Sequence, residues 1–77
     1  MKINIKCKPG DKVYFVLRYR QGEIIPITCE HILIGKNKTE YYFKEFINSY
    51  NDDDFDDLIY TGYSYAHDAL KDYRENL

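Results

Sequence analysis

A mainly β, α+β fold is what this sequence predicts: a small, strongly curved antiparallel five-stranded sheet, or an SH3-like or OB-like barrel, with one C-terminal amphipathic helix. Three observations lead there. Short runs rich in Tyr, Phe, Val and Ile alternate apolar with polar residues, Gly- and Pro-bearing turns separate those runs, and the apolar spacing lengthens from two residues to three and four only near the end. The 77 residues make one domain, 1–77, of a size at which a single core is only just sufficient, and a hydrophobic content of 44% is enough to build that core.

The elements follow in order. Residues 2–7 alternate as a strand, with Ile3, Ile5 and Cys7 on one face, and Pro9-Gly10-Asp11 supplies turn chemistry. Residues 12–19 form the next strand, placing Val13, Phe15 and Leu17 on one side and Tyr14, Val16 and Arg18 on the other. Arg20-Gln21-Gly22 is a hairpin loop. In the long run 23–34, Ile25, Ile27 and Cys29 share a parity that Ile32 and Ile34 break, so a bulge near Glu30-His31 is needed to restore register. Pro26 has no N–H to give to a ladder, which marks an edge or a bend.

Gly35 to Lys38 is the next turn, and residues 39–46 the next strand, with Tyr41 and Phe43 opposite Tyr42, Lys44 and Phe46. Residues 58–61 are long enough for one last short strand before Gly62. A helix over about 65–75 follows, capped by Ser64, with Asp68 early and Arg74 late, both favourable to its dipole. Its stripe of Ala66, Ala69, Leu70, Tyr73 and Leu77 is the face docked on the sheet, the helix covering an open end of the curve.

Charge is sorted along the chain. Residues 1–44 hold nine of the 11 Lys and Arg against four acids, while residues 45–77 hold nine of the 13 acids against two bases; the formal total of −2 conceals this. Asp52, Asp53, Asp54, Asp56 and Asp57, broken only by Phe55, concentrate five carboxylates in six positions. Like charges so close repel one another, and a folded domain holds them best when they are solvated or meet a cationic partner. In an extended segment they advance about 3.3 Å per residue, close to the roughly 3.4 Å per phosphate along one DNA strand. The run thus matches a site built for nucleic acid. Tyr50, Phe55, Tyr60, Tyr63 and Tyr65 flank it with rigid contact area, the combination favoured at protein interfaces.

Other chemistries find less in the sequence. An EF-hand needs Gly at its sixth position and Glu at its twelfth, where this chain has Asp57 and Tyr63. Cys7, Cys29, His31 and His67 are zinc donors in type but lack paired knuckle spacing, so no metal site is expected. Gly10, Gly22, Gly35 and Gly62 stand singly in turns, with no phosphate-cradling loop, and no nucleophile has an evident base. The reading is therefore a non-enzyme without cofactors. The second functional class is a single-strand nucleic-acid module using Lys6, Lys12, Arg18 and Lys44 for phosphate and Tyr14 and Tyr42 for stacking, opposed by the acidic C-terminal half.

Residues 1–6 alternate polar and apolar, with no apolar run of the kind a signal peptide or membrane span needs, so a cytoplasmic location with no membrane association is expected. In that reducing setting Cys7 and Cys29 read as free, semi-buried thiols. Two stretches, Lys8-Pro9-Gly10-Asp11-Lys12-Val13-Tyr14-Phe15 and Leu58-Ile59-Tyr60-Thr61 leading to Ser64-Tyr65-Ala66-His67-Asp68-Ala69-Leu70, resemble small uncharacterised phage and mobile-element proteins of low-GC Gram-positive bacteria. In those, a strand opening on a Pro-Gly-Asp turn begins a small barrel, and a Thr followed by an acidic-Ala pair starts the last helix. Here Tyr60 stands for the usual Phe, and Asp68-Ala69 echoes Glu-Ala. The resemblance implies a cytoplasmic accessory factor of a bacterial host, of the anti-CRISPR or other anti-defence inhibitor type. The partner expected is a host protein with a basic surface, such as a nucleic-acid-guided or nucleic-acid-binding effector, met by a monomer or homodimer.

Overall fold

The computed structural model describes residues 5–76, and in it five antiparallel strands lie in the order β4-β3-β2-β1-β5, curled into a half-barrel, with one helix after them. The strands are β1 (Lys12–Leu17), β2 (Glu23–Ile34), β3 (Thr39–Phe43), β4 (Ser49–Asn51) and β5 (Ile59–Tyr60), followed by α1 (Tyr63–Glu75). The predicted fold class holds.

β1 divides two cores. Its alternation puts Val13 and Phe15 on the concave face, with Cys7, Ile27, Cys29, Tyr41, Phe43, Phe55 and Ile59. Tyr14 and Val16 point the other way, into a second cluster with Tyr60, Ala66 and Leu70. A strand apolar on both faces is buried on both, and Val13 and Val16 are 1% and 0% exposed.

β2 is long because it serves two partners. Its first half pairs with β1, from Lys12↔Thr28 to Leu17↔Glu23, and its second half with β3, from Cys29↔Phe43 to Ile34↔Thr39. The register shifts between Cys29 and His31, where the parity of the isoleucines requires a bulge. Pro26 lies in the first half. Cys29 donates its N–H to Asp11 O and accepts from Gly10 N–H, so odd-numbered residues of this half turn their backbone groups toward β1. Pro26 faces the opposite, unpaired edge, where its missing N–H costs no ladder bond. On that same edge Glu45 closes the gap, its Oε1 accepting from Thr28 N–H at 2.8 Å.

Three expectations about the strands change. Ile5 to Cys7 are irregular and not a strand, while residues 2–4 of the expected first strand lie outside the described residues. Both edges of β1 are already taken, by β2 and β5, so Cys7 joins the core through its side chain alone. The fifth strand is instead β4, three residues too short and polar to show a pattern, paired to β3 through Tyr41↔Tyr50. β3 ends at Phe43, where a turn begins, and Phe46 N–H donates back to Phe43 O at 3.2 Å.

The helix starts earlier than expected and sits elsewhere. Gly62, not Ser64, is the N-cap, without a side-chain cap bond, and Ser64 lies in the first turn. The helix packs on the convex face of β1 and β5 and does not close an open end, because Val16 and Tyr60 leave an apolar surface there that needs cover. Leu77 lies outside the described residues. At the far end Arg74 Nε donates to Gln21 O at 2.7 Å and Tyr73 Oη to Arg20 O at 3.1 Å, tying α1 to the β1–β2 hairpin.

That hairpin yields a contrast between two glycines. Gly10 (φ +94°) and Gly22 (φ +83°) both hold left-handed backbone, but a Cβ at Gly10 meets nothing within 4 Å, whereas at Gly22 it runs into Leu70 Cδ1 and lies 3.2 Å from Leu17 O. Gly10→Ala should cost only backbone strain, about 1 kcal/mol. Gly22→Ala should cost more, roughly 3 kcal/mol, because it also displaces the helix's main apolar anchor. Urea unfolding of the two variants checks this, and equal midpoints would refute it.

Candidate partner interface

The acidic run is a built turn, beginning from a cap. Asn51, the last residue of β4, accepts from Asp53 N–H with its side chain at 2.9 Å, and Asp54 Oδ2 accepts from Asn51 N–H at 2.9 Å. This reciprocal capping box closes one 3₁₀ turn over Asp52–Asp54. Phe55 then drops inward, 7% exposed, its ring edge-on to Tyr41 at 4.8 Å between centroids. Asp56 follows in left-handed backbone (φ 65°), a conformation Asp tolerates, and donates its N–H to Ile59 O at 2.8 Å. The chain is thereby folded back into β5.

Two of the five carboxylates are consumed in holding this shape. Asp54 serves the cap, and Asp52 Oδ1 accepts from the Tyr41 hydroxyl at 2.6 Å. Asp53, Asp56 and Asp57 are exposed. Among the described residues an ion pair joins Lys38 Nζ to Glu40 at 2.9 Å, His31 Nδ1 lies 3.4 Å from Glu30 Oε1, and neither contact involves the acidic turn. Arg18, the one cation bonded to it among the described residues, donates to the Asp57 backbone oxygen at 2.5 Å and to Tyr60 Oη at 3.3 Å, bracing the backbone and not the carboxylates. Among the described residues no group of three or more metal-ligating side chains converges.

The geometry corrects two parts of the expected site. The run is not extended: a 3₁₀ turn rises only about 2.0 Å per residue, so the phosphate-like spacing is absent and the charge is bunched on a knob. The aromatic flank also thins. Tyr60 is buried and Tyr50 half-buried between Phe15, Phe43 and Phe46, because alternation along their strands points both into a core, and Phe55 is buried because the 3₁₀ turn ends by setting it against Tyr41. Tyr63 and Tyr65, at the start of α1, remain exposed at 56% and 66%. They come three and five residues after Tyr60, whose hydroxyl lies 3.2 Å from Asp56 O.

The residues of the basic alternative are dispersed in part. Arg18 is committed to the acidic turn, Tyr14 is half-buried against Tyr63, and the Lys6 backbone N–H is donated to Tyr41 Oη at 3.0 Å. Lys12 and Lys44 flank Thr28, the first as its register partner and the second by donating its N–H to Thr28 O at 3.0 Å. Tyr42 stacks on His31 at 4.4 Å, with its hydroxyl donated to Glu40 at 2.9 Å. Sequence reading missed Asn51 as the cap and Tyr41 as the anchor of the acidic turn. The first had a legible signal, Asn three residues before Asp54, and the second had none.

Comparison with protein-family models, with curated proteins and with solved structures gives no significant match. Among the described residues no helix is long and apolar enough to cross a membrane.

Burial first, and then its hydrogen bond to Asp52, push the Tyr41 phenol up to about 12. A folded-state value above the unfolded one, about 10, means the native protein holds this proton longer, so the stability it contributes is complete below pH 10 and is lost between about pH 10 and 12. Tyr41→Phe should lose roughly 2 kcal/mol at neutral pH, the worth of a hydrogen bond to a charged group, and show a shallower fall of stability above pH 10. Denaturant titrations over that pH range check both; an unchanged alkaline slope refutes the assignment.

Proposed function

We propose that this protein is a non-catalytic binding protein that docks its acidic turn on a basic, nucleic-acid-handling surface of a host protein, acting stoichiometrically as an inhibitor or adaptor. The observation that carries this reading is the unneutralised charge. Asp53, Asp56 and Asp57 stand exposed on a turn fixed by the Asn51 capping box, the Tyr41–Asp52 bond and the buried ring of Phe55, with no ion pair to any described cation. Rigid presentation matters because a partner then need not order the turn on binding. Exposed carboxylates steer association with a cationic surface and lose that effect as salt rises. Tyr63 and Tyr65 supply the apolar contact that charge alone lacks. The resemblance to phage and mobile-element proteins supports an anti-defence setting for such a partner.

The test separates carboxylates that present from carboxylates that build. A partner captured from bacterial lysate and purified should bind the triple variant Asp53→Asn, Asp56→Asn, Asp57→Asn at least tenfold more weakly at low salt, with a flatter salt dependence, while the fold keeps its stability. Asn at 56 retains the left-handed preference. Asp54→Ala should instead lower stability by about 1 kcal/mol through loss of the capping box. Equal affinity of the triple variant and the parent in a binding isotherm would end the proposal.

One observation favours a second reading. Strand alternation puts Lys12, Thr28, Tyr42 and His31 on the convex face, with Lys44 in the turn after β3 bonded through its N–H to Thr28 O, so that two lysines stand on the surface that carries a stacked aromatic pair. That surface suits single-stranded nucleic acid. Retardation of an oligonucleotide at low salt, abolished by Lys12→Ala with Lys44→Ala and unaffected by the Asn triple variant, would favour it over the acidic turn.

A further inference from the structure

Beyond the acidic turn, the inner core holds two nucleophilic groups that the proposed function does not use. Cys7 and Cys29 are both free thiols, 4% and 0% exposed, and both belong to the buried cluster of the inner core, where Gly10 N–H, three residues after Cys7, meets the Cys29 carbonyl at 2.8 Å. No third ligating side chain joins them among the described residues, which leaves thiol–disulfide chemistry as what the pair can do. The two cysteines differ in how they are held. Cys29 lies at the junction of the two halves of β2, fixed by its N–H to Asp11 O at 2.9 Å and by Gly10 N–H to its own O at 2.8 Å. Cys7 sits on an irregular segment between Lys6, whose N–H goes to Tyr41 Oη at 3.0 Å, and Lys8, whose N–H goes to Asp11 Oδ2 at 2.9 Å. A segment tied through side chains outside any ladder opens before the strands do.

We propose that Cys7 and Cys29 are a redox modification site, closing to an intramolecular disulfide in the presence of a low-molecular-weight disulfide and so locking the segment around Cys7 onto β2. The step balances through a mixed disulfide. When the segment opens, the Cys7 thiolate attacks one sulfur of oxidised glutathione and releases one glutathione thiol. On reclosing, the Cys29 thiolate attacks the Cys7 sulfur and releases the second, so two protein thiols are oxidised and one glutathione disulfide is reduced. Burial, and then the Cys29 thiol beside it, push Cys7 up to about 12, so thiolate is scarce at neutral pH and the closed protein oxidises slowly. The disulfide also secures Lys6, whose N–H meets the same Tyr41 hydroxyl that holds Asp52.

Native protein incubated with oxidised glutathione at neutral and at alkaline pH, acid-quenched and read by intact mass and peptide mapping, is the test. The expected result is loss of two hydrogens, a Cys7–Cys29 cross-linked peptide that forms faster at alkaline pH, and a thermal midpoint roughly 10–20 °C above the reduced protein. Cys7→Ser should give no intramolecular product; if that variant fails to fold, the mass and the midpoint of the wild-type protein decide alone. A stable glutathione adduct on one cysteine, two unmodified thiols after prolonged alkaline incubation, or a cross-link that lowers the midpoint would each overturn the proposal.

Discussion

A buried phenol must find partners for its hydroxyl, and Tyr41 finds two. It lies at 0% exposure in the middle of β3, accepts from the Lys6 backbone N–H and donates to Asp52. Left unpaired, that group would cost about 1–3 kcal/mol, a large fraction of what a 77-residue domain has to spare. One side chain thereby joins the irregular segment before β1, the third strand, and the acidic turn. Its ring does a second job, since Phe55 packs edge-on against it and brings the acidic turn down onto the core. The turn is placed by a satisfied polar group under an aromatic contact, and the exposed carboxylates ride on that foundation.

The same economy explains the two cores. A sheet this small cannot enclose all its apolar side chains on one face, and β1 and β5 send Val16 and Tyr60 to the convex side. The helix answers with Ala66 and Leu70, its small residue allowing close approach and its large one filling the space beside Gly22. Each of these helix contacts lies far from β4, so the convex face of β2 and β3 stays open to solvent, with His31, Tyr42, Glu40 and Lys38 joined in a surface network. Beside Lys38, the Glu40 carboxyl is held below its ordinary range, first by its hydrogen bond to that lysine. Lys38 therefore has a partner of its own, and among the described residues no ion pair reaches the acidic turn.

Charge segregation in the chain thus survives folding. Burial in a core would have required each aspartate to be paired or protonated, and the fold avoids that cost by giving Asp52 and Asp54 single neutral donors and leaving the rest in water. A surface of this kind favours cationic partners at long range and is tuned by salt, whatever the partner's identity.

Alternation and turn chemistry determined much of this protein without any tertiary information: the β class, the strands around Val13, Ile27 and Tyr41, the C-terminal helix, and the bulge near His31, which follows because two isoleucine sets of opposite parity must reach one core. The acidic run was likewise visible in the letters. Its shape was not, because an extended strand and a capped turn are both compatible with Asp-Asp-Asp-Phe-Asp-Asp, and the choice depends on Phe55 finding Tyr41 across the fold. The same holds for Ile5 to Cys7, where alternation reads as a strand but the backbone is irregular and Cys7 meets the core through its side chain. Local pattern specifies what each segment prefers when alone. Which edge is free, which face is covered and which carboxylate is spent on the backbone are settled by neighbours distant in sequence, and those only the tertiary structure supplies.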